Sequence, residues 1–177
     1  SIFRRFLSFL IMVAVVVVGA WLLRSFVVEP FQIPSASMED TIKTGDMVFA
    51  EKVSYHFSDP EQGDIVVFSD PQVPSRTLKR VIATEGQTVD LRDGKVYVDG
   101  VALDEPYTDG LPSYPLNTVG TVDISYPYTI PKGDVWVMGD NRTNSSDSRY
   151  FGPIDKDTVF GKAFAIYWPV ESLAWIG

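Results

Sequence analysis

Three stretches of this sequence carry side chains whose chemistry could be combined: a serine pair, a lysine set among apolar residues, and a long polar loop. Ser35-Ala36-Ser37 follows Pro34, and small residues beside a proline suit a tight bend that exposes a hydroxyl. Most Ser-x-Ser pairs are only turns, so this stretch alone does not define a nucleophile. A serine hydroxyl also reacts poorly until a base removes its proton. The 177 residues contain no Cys and a single His, His56. Thiol nucleophiles, disulfides and Cys-ligated metal sites are therefore excluded, and a zinc site of two or more His cannot be assembled. A Ser-His-Asp triad would have to use His56, which precedes the turn sequence Ser58-Asp59-Pro60 and reads as a surface loop residue.

Lysine is the other base available. It is normally protonated at neutral pH, with a pKa of about 10.4, and burial in apolar surroundings lowers that value. Lys79, in Leu78-Lys79-Arg80-Val81-Ile82-Ala83, has such surroundings, whereas Lys43 and Lys52 lie near turn or polar residues. In a strand Lys79 shares a face with Val81 and Ala83, and Arg80 takes the other. Alternation does not decide which of the two turns inward, but Arg80 keeps its proton and cannot be the base. The polar loop runs from Gly139 to Gly152. Its acids do not follow calcium-loop spacing, and Arg142 and Arg149 oppose a cation. Asp147 and Arg149 could pair to pin it, and the Ser145 hydroxyl could hold a lysine amine in place.

The elements that must position these groups divide sharply at residue 28. Phe6 to Leu23 is apolar except for Ser8 and Gly19, and the run extends through Val28 with Arg24 and Ser25 inside it. A bilayer core needs roughly 20 such residues in a helix. The run exceeds the apolar core of a cleaved secretory signal and lacks a convincing small-x-small site after it. We therefore expect a transmembrane anchor at 6–28, preceded by a cytoplasmic stub at 1–5. The chain opens on Ser1, so further cytoplasmic residues are expected before it. Arg4 and Arg5 place the N-terminus inside.

All 12 Pro and 12 of the 13 Gly follow residue 28, between short runs rich in Val, Ile, Phe and Tyr. The expected strands are 47–50, 64–68, 77–83, 89–91, 96–98, 134–138 and 163–168, with an Asp93-Gly94 hairpin turn. The fold class is mainly β: an N-terminal transmembrane helix, then an antiparallel β core over 29–177. This body carries 12 basic and 23 acidic residues, a net charge of −11. It would repel nucleic acid, so no nucleic-acid partner is expected, and contact with membrane lipid must be hydrophobic. Ser37 lies nine residues past Val28, at most about 30 Å of extended chain, so its chemistry would occur near the membrane surface.

Ordered stretches of the chain resemble the bacterial type I signal peptidases of the serine–lysine dyad class. They are Phe31-x-Ile33-Pro34-Ser35-Ala36-Ser37-Met38, Gly63 to Phe68, Leu78-Lys79-Arg80-Val81, Gly139-Asp140-Asn141-Arg142, and Ser145 with Asp147 to Gly152. Gly161 to Phe164 and Tyr167-Trp168-Pro169 also fit. The chain departs from the family at Asp40-Thr41-Ile42, at Thr143 and at Glu85-Gly86-Gln87. The resemblance implies Ser37 as nucleophile, Lys79 as general base, and an oxyanion hole formed by the Ser37 N–H and the Ser35 hydroxyl. It also implies that Ser145 orients Lys79, that Asp147 and Arg149 support the arrangement, and that Phe31, Ile33, Pro34, Met38 and Leu78 bind substrate. The implied partners are secretory preproteins with small-x-small cleavage sites, cut at the outer face of a bacterial cytoplasmic membrane without metal or cofactor. A small β insertion is expected at about 90–133. The competing readings are another Ser-Lys protease, such as the self-cleaving repressors, and an inactive membrane-anchored β-domain that binds a partner.

Overall fold

A computed structural model describes residues 2–116 and 122–177. Part of the expected insertion, residues 117–121, and Ser1 of the stub lie outside the described residues. The chain opens with helix α1 (Ile2–Phe26), 25 residues or about 37 Å long, none of them buried. Among the described residues it is the one helix long and apolar enough to cross a membrane. The strands follow in chain order as β1 (Val28–Gln32), β2 (Met47–Glu51), β3 (Ile65–Ser69), β4 (Arg76–Thr84), β5 (Thr88–Arg92), β6 (Lys95–Val98), β7 (Val101–Ala102), β8 (Tyr128–Thr129), β9 (Asp134–Met138), β10 (Ile154–Asp155), β11 (Val159–Trp168) and β12 (Ala174–Trp175), with a one-turn helix α2 (Ser148–Phe151) before β10.

The helix boundary differs from the expected 6–28. The helix starts at Ile2 and stops at Phe26, and Val28 already opens β1, paired with Glu51 of β2. Pro30 explains the stop, because proline favours extended backbone before it and belongs on an edge strand. β1 is such an edge.

The larger sheet is antiparallel, in the order β1-β2-β11-β3-β4-β9-β10, with β12 also on β11. The smaller runs β7-β6-β5-β8. Its strands lie between Thr88 and Thr129, in the region where an insertion was expected, and Asp93 and Gly94 both take positive φ in the hairpin turn joining β5 to β6. β3 and β4 lie mid-sheet and are buried on both faces. Ile65, Val67 and Leu78 pack with Ile33, Met38 and Ile166. Val66, Phe68 and Val81 pack on the opposite face with Val137 and Phe151. A third cluster places Trp136 and Met138 against Val89, Val96 and Ile130, joining the two sheets. The expected sharing of one face by Lys79, Val81 and Ala83 fails at its last member. The β4–β9 register shifts between Val81 and Ala83, so Ala83 packs in this third cluster instead.

Candidate active site

Ser37 lies in the 3-10 turn Ala36–Met38 between β1 and β2. The polar loop holds that turn: the Asn141 N–H donates to the Ser37 carbonyl at 3.1 Å, and Asn141 Nδ2 donates to the Ala36 carbonyl at 3.1 Å. Gly139 makes the close approach possible. A Cβ there would collide with the Ser37 carbonyl oxygen and the Ser145 hydroxyl.

Lys79 enters from β4, opposite Val66 of β3. Its Nζ donates to Ser37 Oγ at 2.7 Å, and its side chain is only 3% exposed. Burial lowers the Lys79 pKa; the carboxylates of Asp147, Asp70 and Asp140 oppose that shift without cancelling it. A dry, neutral amine in contact with a hydroxyl can accept its proton. Lys79 and Arg80 are both buried, which resolves the open choice between them. Arg80 grips Asp140 through two hydrogen bonds of 2.9 and 2.8 Å, donates to the Gly63 carbonyl and stacks on Tyr107.

Asp147 and Arg149 form the expected pair, both almost fully buried. Burial pushes the Asp147 carboxyl up, but the Arg149 charge and hydrogen bonds, with the Gly139 N–H, hold it below the usual carboxylate range. Ser145 is placed less simply. Its hydroxyl is buried beside Gly139 and makes no hydrogen bond of full geometry, although it lies near enough to Asp147 to help keep that group ionised. The Lys79 amine bonds to Ser37, not to Ser145.

The cavity at Ser37 and Lys79 is lined by Ser35, Ala36, Ser37, Asp70, Thr77, Lys79, Asn144 and Ser146. Ser35 is exposed, its Oγ 3.3 Å from Ser37 Oγ. The residues expected to bind substrate lie outside this lining. Ile33, Met38 and Leu78 are buried in the apolar cluster against which Phe31 packs, and Pro34 is exposed. Short side chains at 36 and 77 form the wall instead. His56 is exposed in the turn Ser54–His56, its Nδ1 2.7 Å from the Lys52 carbonyl, and it does not line the cavity.

Sequence reasoning gave no role to Arg80, Asp140, Arg142 or Glu105. Arg142 donates to the Gly139 carbonyl, to Ser113 and twice to Glu105, tying the polar loop to the segment after β7. Thr41, within the departing Asp40-Thr41-Ile42, donates to Asp140 at 2.6 Å. Asp140 and Arg142 lie within the motif Gly139-Asp140-Asn141-Arg142, but Glu105 lies in a stretch with no periodic signal.

A family described as signal peptidase, peptidase S26, matches residues 3–168. The chain belongs to that family. It is 42% identical over 176 residues to a probable signal peptidase I-1 of Synechocystis sp., covering 95% of this chain and 84% of that one. It is 36% identical to a signal peptidase I of Leptolyngbya laminosa, covering 88% and 76%. A solved signal peptidase I from Enterococcus faecalis V583 shares 33% identity at a TM-score of 0.49, covering 59% of this chain and 97% of that one. The peptidase S26 assignment agrees with what the resemblance implied, and the sheets described above have the mainly antiparallel β architecture expected from the sequence.

Proposed function

We propose that this peptidase S26 member is a membrane-anchored serine endopeptidase that removes signal peptides from secretory preproteins through a Ser37–Lys79 dyad. The observation that carries the proposal is the 2.7 Å contact between Lys79 Nζ and Ser37 Oγ in buried surroundings. Neutral Lys79 takes the Ser37 proton as Oγ attacks the scissile carbonyl carbon. The oxyanion is held by the Ser37 N–H and the Ser35 hydroxyl, each such donor contributing on the order of 3 kcal/mol. The C–N bond breaks, and Lys79 returns its proton to the leaving amine. Water, deprotonated by Lys79, then releases the signal peptide from Ser37.

Helix α1 supplies the anchor, with Arg4 and Arg5 inside and the β body outside a bacterial cytoplasmic membrane. β1 begins two residues after the helix, so the tether to Ser37 is short, which suits a cleavage site just beyond the bilayer. The precursor lies extended along the cavity, where the short side chains at 36 and 77 favour small residues at the cut. Ser145 keeps Lys79 aligned through its place between Gly139 and Asp147.

Incubating detergent-solubilised protein with a model precursor tests the reading. The wild type should cut after the small-x-small site. Ser37→Ala and Lys79→Ala should each abolish cutting with the fold intact, and normal turnover by either would end the dyad assignment. Loss of activity in His56→Ala would favour a triad.

A further inference from the structure

Three carboxylates act on the Lys79 amine: Asp147, Asp70 and Asp140. Two are answered by arginine, Asp147 by Arg149 and Asp140 by Arg80. Asp70, just past the end of β3, forms no ion pair among the described residues. The nearby cation, Arg76, is committed elsewhere, paired with Glu29 at 3.1 Å and stacked on Phe160. Asp70 also lines the cavity that holds Ser35, Ser37 and Lys79, and it continues into the hollow beyond, beside Val73, Pro74 and Arg76. The rest of the dyad cavity is uncharged apart from Lys79 itself. With Lys79 in its reactive neutral form, a substrate there meets one charged side chain, a half-buried carboxylate.

We propose that Asp70 is a specificity-determining residue that favours precursors carrying a basic residue, and disfavours those carrying an acidic one, beside the scissile bond. The proposal rests on the proteolytic reading above. A carboxylate in a partly enclosed wall attracts a substrate cation and repels a substrate anion, and the effect is stronger there than in open water. Asp70 also opposes the neutral state that the base requires. Retaining an unpaired acid at that position is therefore unfavourable for the proton transfer itself, and a selective role accounts for it. Polar contacts within the loop, such as the Gln72 N–H donating to Asp70 Oδ1 at 2.7 Å, keep the carboxyl at the rim without neutralising it.

The test uses the full chain in detergent and one parent precursor, varied to Lys, Ala or Glu at each position flanking the cut. The quantity read is the ratio of kcat/KM for the Lys and Glu versions. A change in Lys79 basicity affects both versions alike and cancels in this ratio. The wild type should prefer Lys by roughly tenfold at one of the positions. The ratio should shrink as salt is raised. Asp70→Asn should bring it close to one while still cutting the Ala parent. An unchanged ratio in Asp70→Asn, or no charge preference in the wild type, would overturn the proposal. Failure of the wild type to cut the parent would instead count against the proteolytic reading.

Discussion

Replacing Lys79 with Met should abolish activity and make the protein more stable. Lys79 carries an amine that burial drives toward its neutral form, and its one hydrogen bond in the site goes to Ser37 Oγ. Met has similar length and no polar atom to desolvate. The substitution loses that hydrogen bond, worth about 1 kcal/mol. It also removes a polar group confined to a dry interior, and exchanging buried ionic groups for well-packed apolar ones is often neutral or stabilising, by up to about 4 kcal/mol. Asp147 and Asp140 are not orphaned, because Arg149 and Arg80 still answer them, and the third carboxylate, Asp70, is half-buried at the cavity rim. The net expectation is a gain of up to about 3 kcal/mol, at roughly 2–4 °C in Tm per kcal/mol for a chain of this size.

The gain should depend on pH in a defined direction. The folded Lys79 pKa lies below its unfolded value, so between the two the unfolded chain binds more protons. Wild-type stability therefore rises with pH across that window. The penalty is complete below the folded pKa and disappears above about 10.4. Thermal melts of Lys79→Met and wild type in detergent, from pH 6 to 10, should show the largest difference at low pH and convergence at high pH. Wild-type activity should rise with pH over the same window as the base loses its proton. A Tm several degrees lower in Lys79→Met would refute this account, because it would mean that Lys79 is a charged member of the ion-pair cluster.

Gly139→Ala should lower kcat at least tenfold and destabilise by about 1–3 kcal/mol in urea unfolding, because its Cβ has no room against the Ser37 carbonyl and Ser145. Glu105→Ala should leave Arg142 buried without its partner and cost about 3 kcal/mol by the same assay, although Glu105 lies outside the dyad cavity. Lys52 donates to the Arg24 and Ser25 carbonyls at the end of α1 and pairs with Glu29. Lys52→Met should therefore lower cleavage of a precursor in proteoliposomes about fivefold or more while leaving a short soluble peptide within about twofold. An equal loss on both substrates would show that the contact serves stability rather than the orientation of the helix.

What could be read from the sequence followed from periodicity and from simple exclusion. The core strands announced themselves because β3 and β4 are buried on both faces and are continuously apolar around their few charges. The proposed base was reached because one His in a turn-like stretch and no Cys left lysine, and Lys79 lay in such a run. The short strands β7, β8, β10 and β12 gave no signal because two residues cannot display alternation. The fate of Arg80 was hidden for a different reason. Alternation forces a choice between the faces of a strand, but a mid-sheet strand can bury both if each charge finds a partner. Asp140, 60 residues away, is that partner. The Arg142–Glu105 pair was unreadable in the same way, since nothing local in the sequence links positions 37 apart.

The arrangement meets two requirements that conflict. A serine–lysine dyad needs its loop fixed to within tenths of an ångström, and buried hydrogen-bonded ions are well suited to fixing a loop. Yet a carboxylate near the lysine stabilises its protonated form and so removes the base. Here the carboxylates that anchor the loop are themselves held by arginines. Asp147 takes the Gly139 N–H and Arg149, and Asp140 takes Arg80 and Thr41. Each acid can position backbone while much of its field is cancelled a few ångströms away. Burial then dominates at Lys79, and its pKa moves down despite three nearby acids. On this argument the arginines serve the reaction at one remove: losing Arg149 would expose Lys79 to an uncompensated Asp147 and return the amine toward its protonated form.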